Sequence, residues 1–238
     1  MTLDNYMKEY VFQLPPSVRL RKAHTMLTML DAAVLPDTLP PVDAILIYLS
    51  SPGTLYGYTP DEVSRAKAHA RRFLTCWVAP AGQGAVAGAA AGLASVNEAN
   101  DLGVREGDAL LLDCEESRVR ELIADGYVQA WRDTVTAAHR VAVGYTSLDQ
   151  APHLAAIMPT VYAAWDDDPT IDAGYVGHQY SGGAGHGWDL SVVVDSLPLS
   201  YSDPSEAPMP GDIHSPALFT APTHTGDGYW RVTVDGHV

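Results

Sequence analysis

Eight short strand-like runs, near residues 26–32, 44–49, 73–79, 109–115, 141–145, 161–165, 175–180 and 190–194, punctuate this chain. Their length and content suit buried strands, and most are separated by segments long enough for a crossover. The first half supplies the clearest helices. Thr59-Pro60-Asp61-Glu62 combines a capping residue, a proline at the first helical position and an acid three residues on, so a helix opens there and runs to about residue 72. Residues 86–102 are Ala-rich and helix-forming. Residues 117–139 form the longest expected helix, with Val119, Leu122, Ile123, Trp131 and Val135 as its apolar stripe and Gly126 as a bend. Strands alternating with helices predict a parallel sheet, and eight of them predict an α/β fold closed as an irregular (β/α)8 barrel. After Tyr145 the connections shorten, so helices are expected to be missing around the last strands.

The fourth run, Ala109-Leu-Leu-Leu-Asp113-Cys-Glu115-Glu116, ends abruptly in acid. With period-two alternation, Asp113 and Glu115 share a face, their Cα atoms roughly 6.5–7 Å apart. Cys114 and Glu116 take the other face. Ligands and chemistry gather at the C-terminal ends of parallel strands, and paired carboxylates are the working groups of glycoside hydrolysis. Two more acids fall at strand boundaries: Asp31 closes the first run and Asp189 precedes the last. In a closed barrel, strands one and eight are neighbours with strand four across from them. Four acids at one mouth would raise at least one pKa by like-charge repulsion.

The order Leu30-Asp31, Leu112-Asp113-Cys114-Glu115, Val143-Gly-Tyr145-Thr-Ser, Tyr162-Ala-Ala-Trp165, His178-Gln179-Tyr180 and Trp188-Asp189-Leu190-Ser191 resembles glycoside hydrolase family 25. It resembles still more the actinobacterial glycoside-hydrolase-like domains related to that family. The resemblance spans residues 25–195. It implies a barrel whose last three strands lack helices, and cleavage of the peptidoglycan β-1,4 bond after N-acetylmuramic acid. By position it makes Glu115 the general acid and Asp113 the group that orients or stabilises substrate or intermediate. Asp31 and Asp189 would line the subsite, and Tyr145, Trp165 and Gln179 would shape the sugar cleft. The chain departs from the pattern at Ala32-Ala33 after the first acid, at His178 in place of a tryptophan, and at Ser191 in place of an asparagine.

This reading divides the chain into an N-terminal arm (1–24), the barrel (25–195) and a tail (196–238). Six prolines between residues 197 and 224 mark the tail as extended, and its alternating end at 228–236 is expected to pack on the body or join a partner's sheet. A net charge of −15 argues against phosphate-driven nucleic-acid binding. No run of eighteen apolar residues predicts a membrane span, and the first 24 residues lack the apolar middle of a signal peptide. Expected locations are therefore the host cytoplasm before release, or a virion or the cell exterior if the chain is phage-encoded. Cys76 and Cys114 are expected as buried thiols. His178, His186 and Asp189 are a poor metal set, and Gly82-Gln-Gly84-Ala-Val-Ala-Gly88 lacks the spacing of a dinucleotide loop, so no metal or cofactor is implied. The aromatics Tyr56, Tyr58, Trp165 and Trp188 fall where sugars could stack. The expected activity is a muramidase of the endolysin or wall-degrading type with peptidoglycan as partner. The competing expectation is a weakly active or inactive barrel serving as a virion or tail structural or glycan-binding protein, with virion or homo-oligomer partners held through its terminal arms.

Overall fold

The computed structural model describes residues 26–51, 56–80, 84–114, 118–182 and 187–206, together with the backbone of 219–222 and 229–232. Strands β1 (Met26–Asp31), β2 (Ala44–Tyr48), β3 (Arg72–Val78), β4 (Ala109–Asp113), β5 (Val141–Ser147), β6 (Thr160–Ala163), β7 (Gly177–Ser181) and β8 (Asp189–Val194) close into a barrel. Every neighbouring pair from β1 to β7 is parallel. The exception is β8, which runs antiparallel to both β7 and β1. The cause is connection length: residues 182–188 are too few for the dozen or more that a parallel crossover requires. The barrel is thus α/β and irregular, as expected, but its eighth strand is reversed.

Among the described residues, α-helices cover only the β2–β6 arc. They are α1 (Pro60–His69), α2 (Gly84–Asp101), α3 (Val119–Ala124), α4 (Tyr127–Ala137) and α5 (Ala151–Ala155). At the start of α1 the Thr59 hydroxyl accepts from the Glu62 amide at 3.3 Å, and the Glu62 carboxylate accepts from the Thr59 amide at 2.9 Å. The expected long helix is two helices. Gly126 adopts φ +83°, and Asp125 accepts from the Tyr127 amide at 2.9 Å, so the chain caps and restarts there. Helices α2 and α4 pack in close backbone contact, because a Cβ on Gly88 would lie 2.3 Å from the Tyr127 carbonyl oxygen. Trp131 bridges the same pair by donating to Ser95 Oγ at 3.1 Å.

Between β6 and β7 an aromatic stack replaces the missing helix. Tyr162 and His178 stack at 4.4 Å on the outer sheet face, Tyr175 packs on Tyr162 at 4.9 Å, and His178 Nδ1 meets the Thr170 carbonyl at 2.6 Å. His178 therefore fills a packing position, as its strand context suggested, and points away from Asp189. His186 lies outside the described residues. Cys76 and Cys114 are both buried, as expected.

The start of the proline-rich tail is part of the body. Leu197 and Leu199 are buried in the core, and β9 (Ser200–Tyr201) pairs antiparallel with the start of β3. Further on, β10 (Phe219–Pro222) and β11 (Tyr229–Val232) pair with each other. The strand-like end thus finds its partner upstream in its own chain, across the six-residue connection 223–228. Among the described residues no helix is long and apolar enough to cross a membrane.

Candidate functional site

The reversed β8 puts its first residue beside the last residue of β1, so Asp189 pairs directly with Asp31. In an all-parallel barrel the start of β8 would lie at the opposite end. Asp113 closes β4 in register with Tyr145 on β5, and Ala163 on β6 pairs with Gln179 on β7. These strand ends surround a cleft of 390 Å³, lined by Asp31, Tyr48, Asp113, Tyr145 and Asp189 and rimmed by Tyr56, Trp165 and Trp188.

The acids are held by a hydrogen-bond network that crosses five strands. Gln179 Nε2 donates to Asp31 Oδ2 and to Asp189 Oδ2, each at 3.3 Å. Its Oε1 accepts from the Tyr145 hydroxyl, which fixes which end of the amide faces the acids. Tyr48 donates to the other oxygen of Asp31 at 2.7 Å. Burial, followed by the nearby charge of Asp31, pushes the Tyr48 phenol well above its ordinary pKa, so it stays a donor. Its ring is stacked on Tyr56 at 5.0 Å and packs against Tyr58, whose hydroxyl donates to the Ala32 carbonyl at 2.6 Å. Asp113 is 2 % exposed, yet it reaches the cleft.

Trp165 stands on the opposite rim, 54 % exposed, with a left-handed backbone at φ +48°. That conformation costs a non-glycine residue about 1–3 kcal/mol and persists only where neighbours enforce it. Here the Gln179 carbonyl accepts from the amides of Ala164 and Trp165, at 3.1 and 3.4 Å. One residue therefore orients the acids with its side chain and the rim tryptophan with its backbone. Gly182 fits closely against the same corner, since a Cβ there would fall 1.7 Å from Asp189 Oδ1.

Of the residues expected at the site, Asp31, Asp189, Gln179 and Tyr145 form one bonded network, and Asp113 and Trp165 line the same cleft. Glu115 lies outside the described residues. Sequence reasoning missed Tyr48. Its signal was the one that marked Asp113: a polar group ending an otherwise aliphatic strand, Ala44-Ile-Leu-Ile-Tyr48. Among the described residues no three His, Cys, Asp or Glu side chains are grouped to hold a metal ion.

No protein-family model matches the chain, and no curated protein matches it. Its likenesses are to solved structures. An uncharacterized B. stearothermophilus protein aligns at 18% identity and TM-score 0.55, over 72% of this chain and 97% of its own. A Tat-secreted protein of Mycobacterium tuberculosis, solved with HEPES, aligns at 14% and 0.54, over 73% and 98%. The modular autolysin LytC of Streptococcus pneumoniae aligns at 12% and 0.55, over 71% of this chain and 46% of its own. At such identities the likeness establishes a shared barrel fold.

Proposed function

We propose that this protein is a glycoside-hydrolase-like enzyme that cleaves a bacterial cell-wall glycan as a muramidase, with Glu115 as general acid. The observation that carries the reading is the convergence of Asp31, Asp113 and Asp189 in one open, aromatic-rimmed cleft at the catalytic end of the barrel. Apolar ring faces at the rim with hydrogen-bonding groups at the floor are what a sugar chain requires. The autolysin of the same fold has been solved with a synthetic peptidoglycan ligand, which supports a wall glycan as the substrate. Glu115 passes its proton to the glycosidic oxygen as the bond to the anomeric carbon breaks; a water molecule then supplies the hydroxyl to that carbon and its other proton restores the Glu115 carboxyl. Asp113 faces the positive charge that develops at the anomeric centre, while Asp31 and Asp189 hold the sugar.

The architectural reading calls for a cleft filled by the chain's own tail or by a neighbour. The aromatic rim of Tyr56, Trp165 and Trp188 around the acids supports the enzyme reading. The deciding experiment is a turbidity assay on purified cell walls with Glu115→Gln beside the native protein. Clearing by the native chain and none by the variant, with matching circular dichroism, is the expected result. Equal clearing by both would overturn the assignment.

A further inference from the structure

Three consecutive residues of β7 hold the segment that follows β6. The Gln179 carbonyl accepts from the Ala164 and Trp165 amides, and the Tyr180 carbonyl accepts from the Asp167 amide at 2.9 Å. His178 holds the same segment with its ring, from the outer face of the sheet. Its Nδ1 meets the Thr170 carbonyl at 2.6 Å, and its Nε2 faces Asp166 Oδ1 at 3.5 Å. Tyr162, stacked on that ring, accepts from the Asp172 amide at 3.3 Å. Residues 164–172 thus form a strap over the Tyr162–His178 pair, with Trp165 at its cleft end. Trp165 and Asp167 both adopt left-handed backbone, at φ +48° and +60°. For a residue such as tryptophan that conformation persists only where its surroundings enforce it.

The His178 ring is 1 % exposed, and its two nitrogens meet different demands. A carbonyl oxygen only accepts, so Nδ1 carries a hydrogen. In the neutral ring Nε2 is then a bare lone pair, and it faces a carboxylate oxygen that also only accepts. Nε2 accordingly makes no hydrogen bond among the described residues. A second proton on the ring replaces this repulsion with an ion pair. The titratable groups around the ring are Tyr162 on β6, Tyr175 packed on Tyr162, Tyr180 at the ring edge, and Asp166 and Asp172 on the strap. Both acids act electrostatically on Tyr162. From β8 the apolar Val192 pairs with His178. Phenols and carboxylates thus surround the ring, and the charge they present to it is negative.

We infer that His178 is a positioning residue for the cleft rim: its protonated ring bridges Thr170 and Asp166 and so holds the strap in the shape that keeps Trp165 at the cleft. The neutral ring keeps the Thr170 bond and gives up the Asp166 contact. That loosens the strap at the end next to Trp165, since Asp166 follows the tryptophan directly. The aromatic side of the cleft is therefore set more firmly at acid pH than at alkaline pH. The effect on sugar binding rests on the glycan reading above, whereas the hold on the strap does not.

Hydrogen exchange of residues 164–176 in the full-length protein, corrected for the intrinsic rate, tests the hold directly. It is read at about pH 5 and about pH 8, on either side of the ordinary histidine value of about 6.5. The segment is expected to exchange roughly tenfold more slowly at the acid value, the effect of one hydrogen bond between charged groups. Asp166→Asn should erase the difference, because its amide can donate to a neutral ring or accept from a charged one. The variant can still accept from the Asp168 amide, and the Asp166 side chain is 52 % exposed, so the fold is kept. His178→Phe preserves a ring on Tyr162 and should exchange fast at both values; should it fail to fold, Asp166→Asn decides. Equal protection of the native strap at both values, or a difference that survives Asp166→Asn, overturns the inference. Calorimetry with an N-acetylglucosamine tetramer then reads the effect on sugar, with severalfold tighter binding expected at the acid value in the native chain and equal binding in Asp166→Asn. Binding that ignores pH beside a strap that responds to it overturns the positioning of Trp165. Binding at neither value overturns the glycan reading and leaves the exchange result to decide the strap.

Discussion

Asp31 and Asp189 stand directly opposite each other on β1 and β8, and a single amide nitrogen of Gln179 lies 3.3 Å from an oxygen of each. The pairing exists because one strand is reversed. The connection from β7 to β8 is short and β8 runs back antiparallel, so a residue at the start of a strand joins residues at the ends of the others. Gly182, directly after β7, adopts φ +150° and leaves no room for a side chain beside Asp189.

Gly182→Ala should therefore act on the site more than on the fold. Its Cβ would fall 1.7 Å from Asp189 Oδ1 and 2.9 Å from Asp189 Cα, so the carboxylate and its backbone must both move. A displacement of this size at a positioned group costs on the order of a hundredfold in rate. Initial rates of wall clearing will show it, and a variant as fast as the native chain would mean that Asp189 does not position substrate.

Trp165 offers the opposite trade. Its left-handed backbone is strained and its ring is more than half exposed, so the fold gains little from the side chain. In Trp165→Gly the strain is relieved, and stability should hold or rise by up to about 1 kcal/mol despite the added freedom of the unfolded chain. Glycan affinity should fall roughly tenfold with the loss of the ring face. Urea unfolding and calorimetric titration read the two effects separately.

Most strands were legible from sequence because each is a short apolar run, the exception being β7 with its Gly-His-Gln-Tyr-Ser, and a closed barrel follows once eight are counted. Asp31, Asp113 and Asp189 were legible for a related reason: an acid at the end of such a run has nowhere to go but the rim. Direction was not legible. Whether β8 runs up or down depends on loop geometry around 182–188, and an apolar run reads the same both ways. The network was hidden too, because a phenol at the end of β2 and an amide on β7 become partners only when five strands are set in register. The pairing of β9 with β3 rests on two residues, too few to leave a periodic signal.

Alkaline pH should destabilise the protein. Burial pushes the Cys114 thiol and the Tyr48 and Tyr58 phenols well up, and the Tyr127 phenol up to about 12. In the unfolded chain these groups lose their protons near 8.5 for cysteine and about 10 for tyrosine. Above those values the unfolded state binds fewer protons than the folded one, so stability falls as pH rises. It should be fully present below about pH 8 and decline most steeply past about pH 10. Urea midpoints across that range check the trend, and Tyr127→Phe should flatten it at the alkaline end. A midpoint that holds level through pH 11, about one unit past the free phenol value, would contradict it.

Tyr48 and Gln179 should prove to be one device. Tyr48→Phe keeps the ring that stacks on Tyr56 and removes only the hydroxyl that donates to Asp31. Asp31 is 8 % exposed, so water replaces the lost donor poorly, and a hydrogen bond to a charged group of this kind is worth about 1.5–3 kcal/mol. Gln179→Leu removes the donor on the other oxygen and also releases Asp189 and the Tyr145 hydroxyl. Either variant alone leaves Asp31 with one of these two donors and an incentive to remain charged. The double variant removes both and lets the carboxyl take a proton, so the second substitution should not cost what it costs alone. A double-mutant cycle in urea should give a coupling of about 1 kcal/mol or more. Strict additivity would mean that Tyr48 and Gln179 do not act through Asp31.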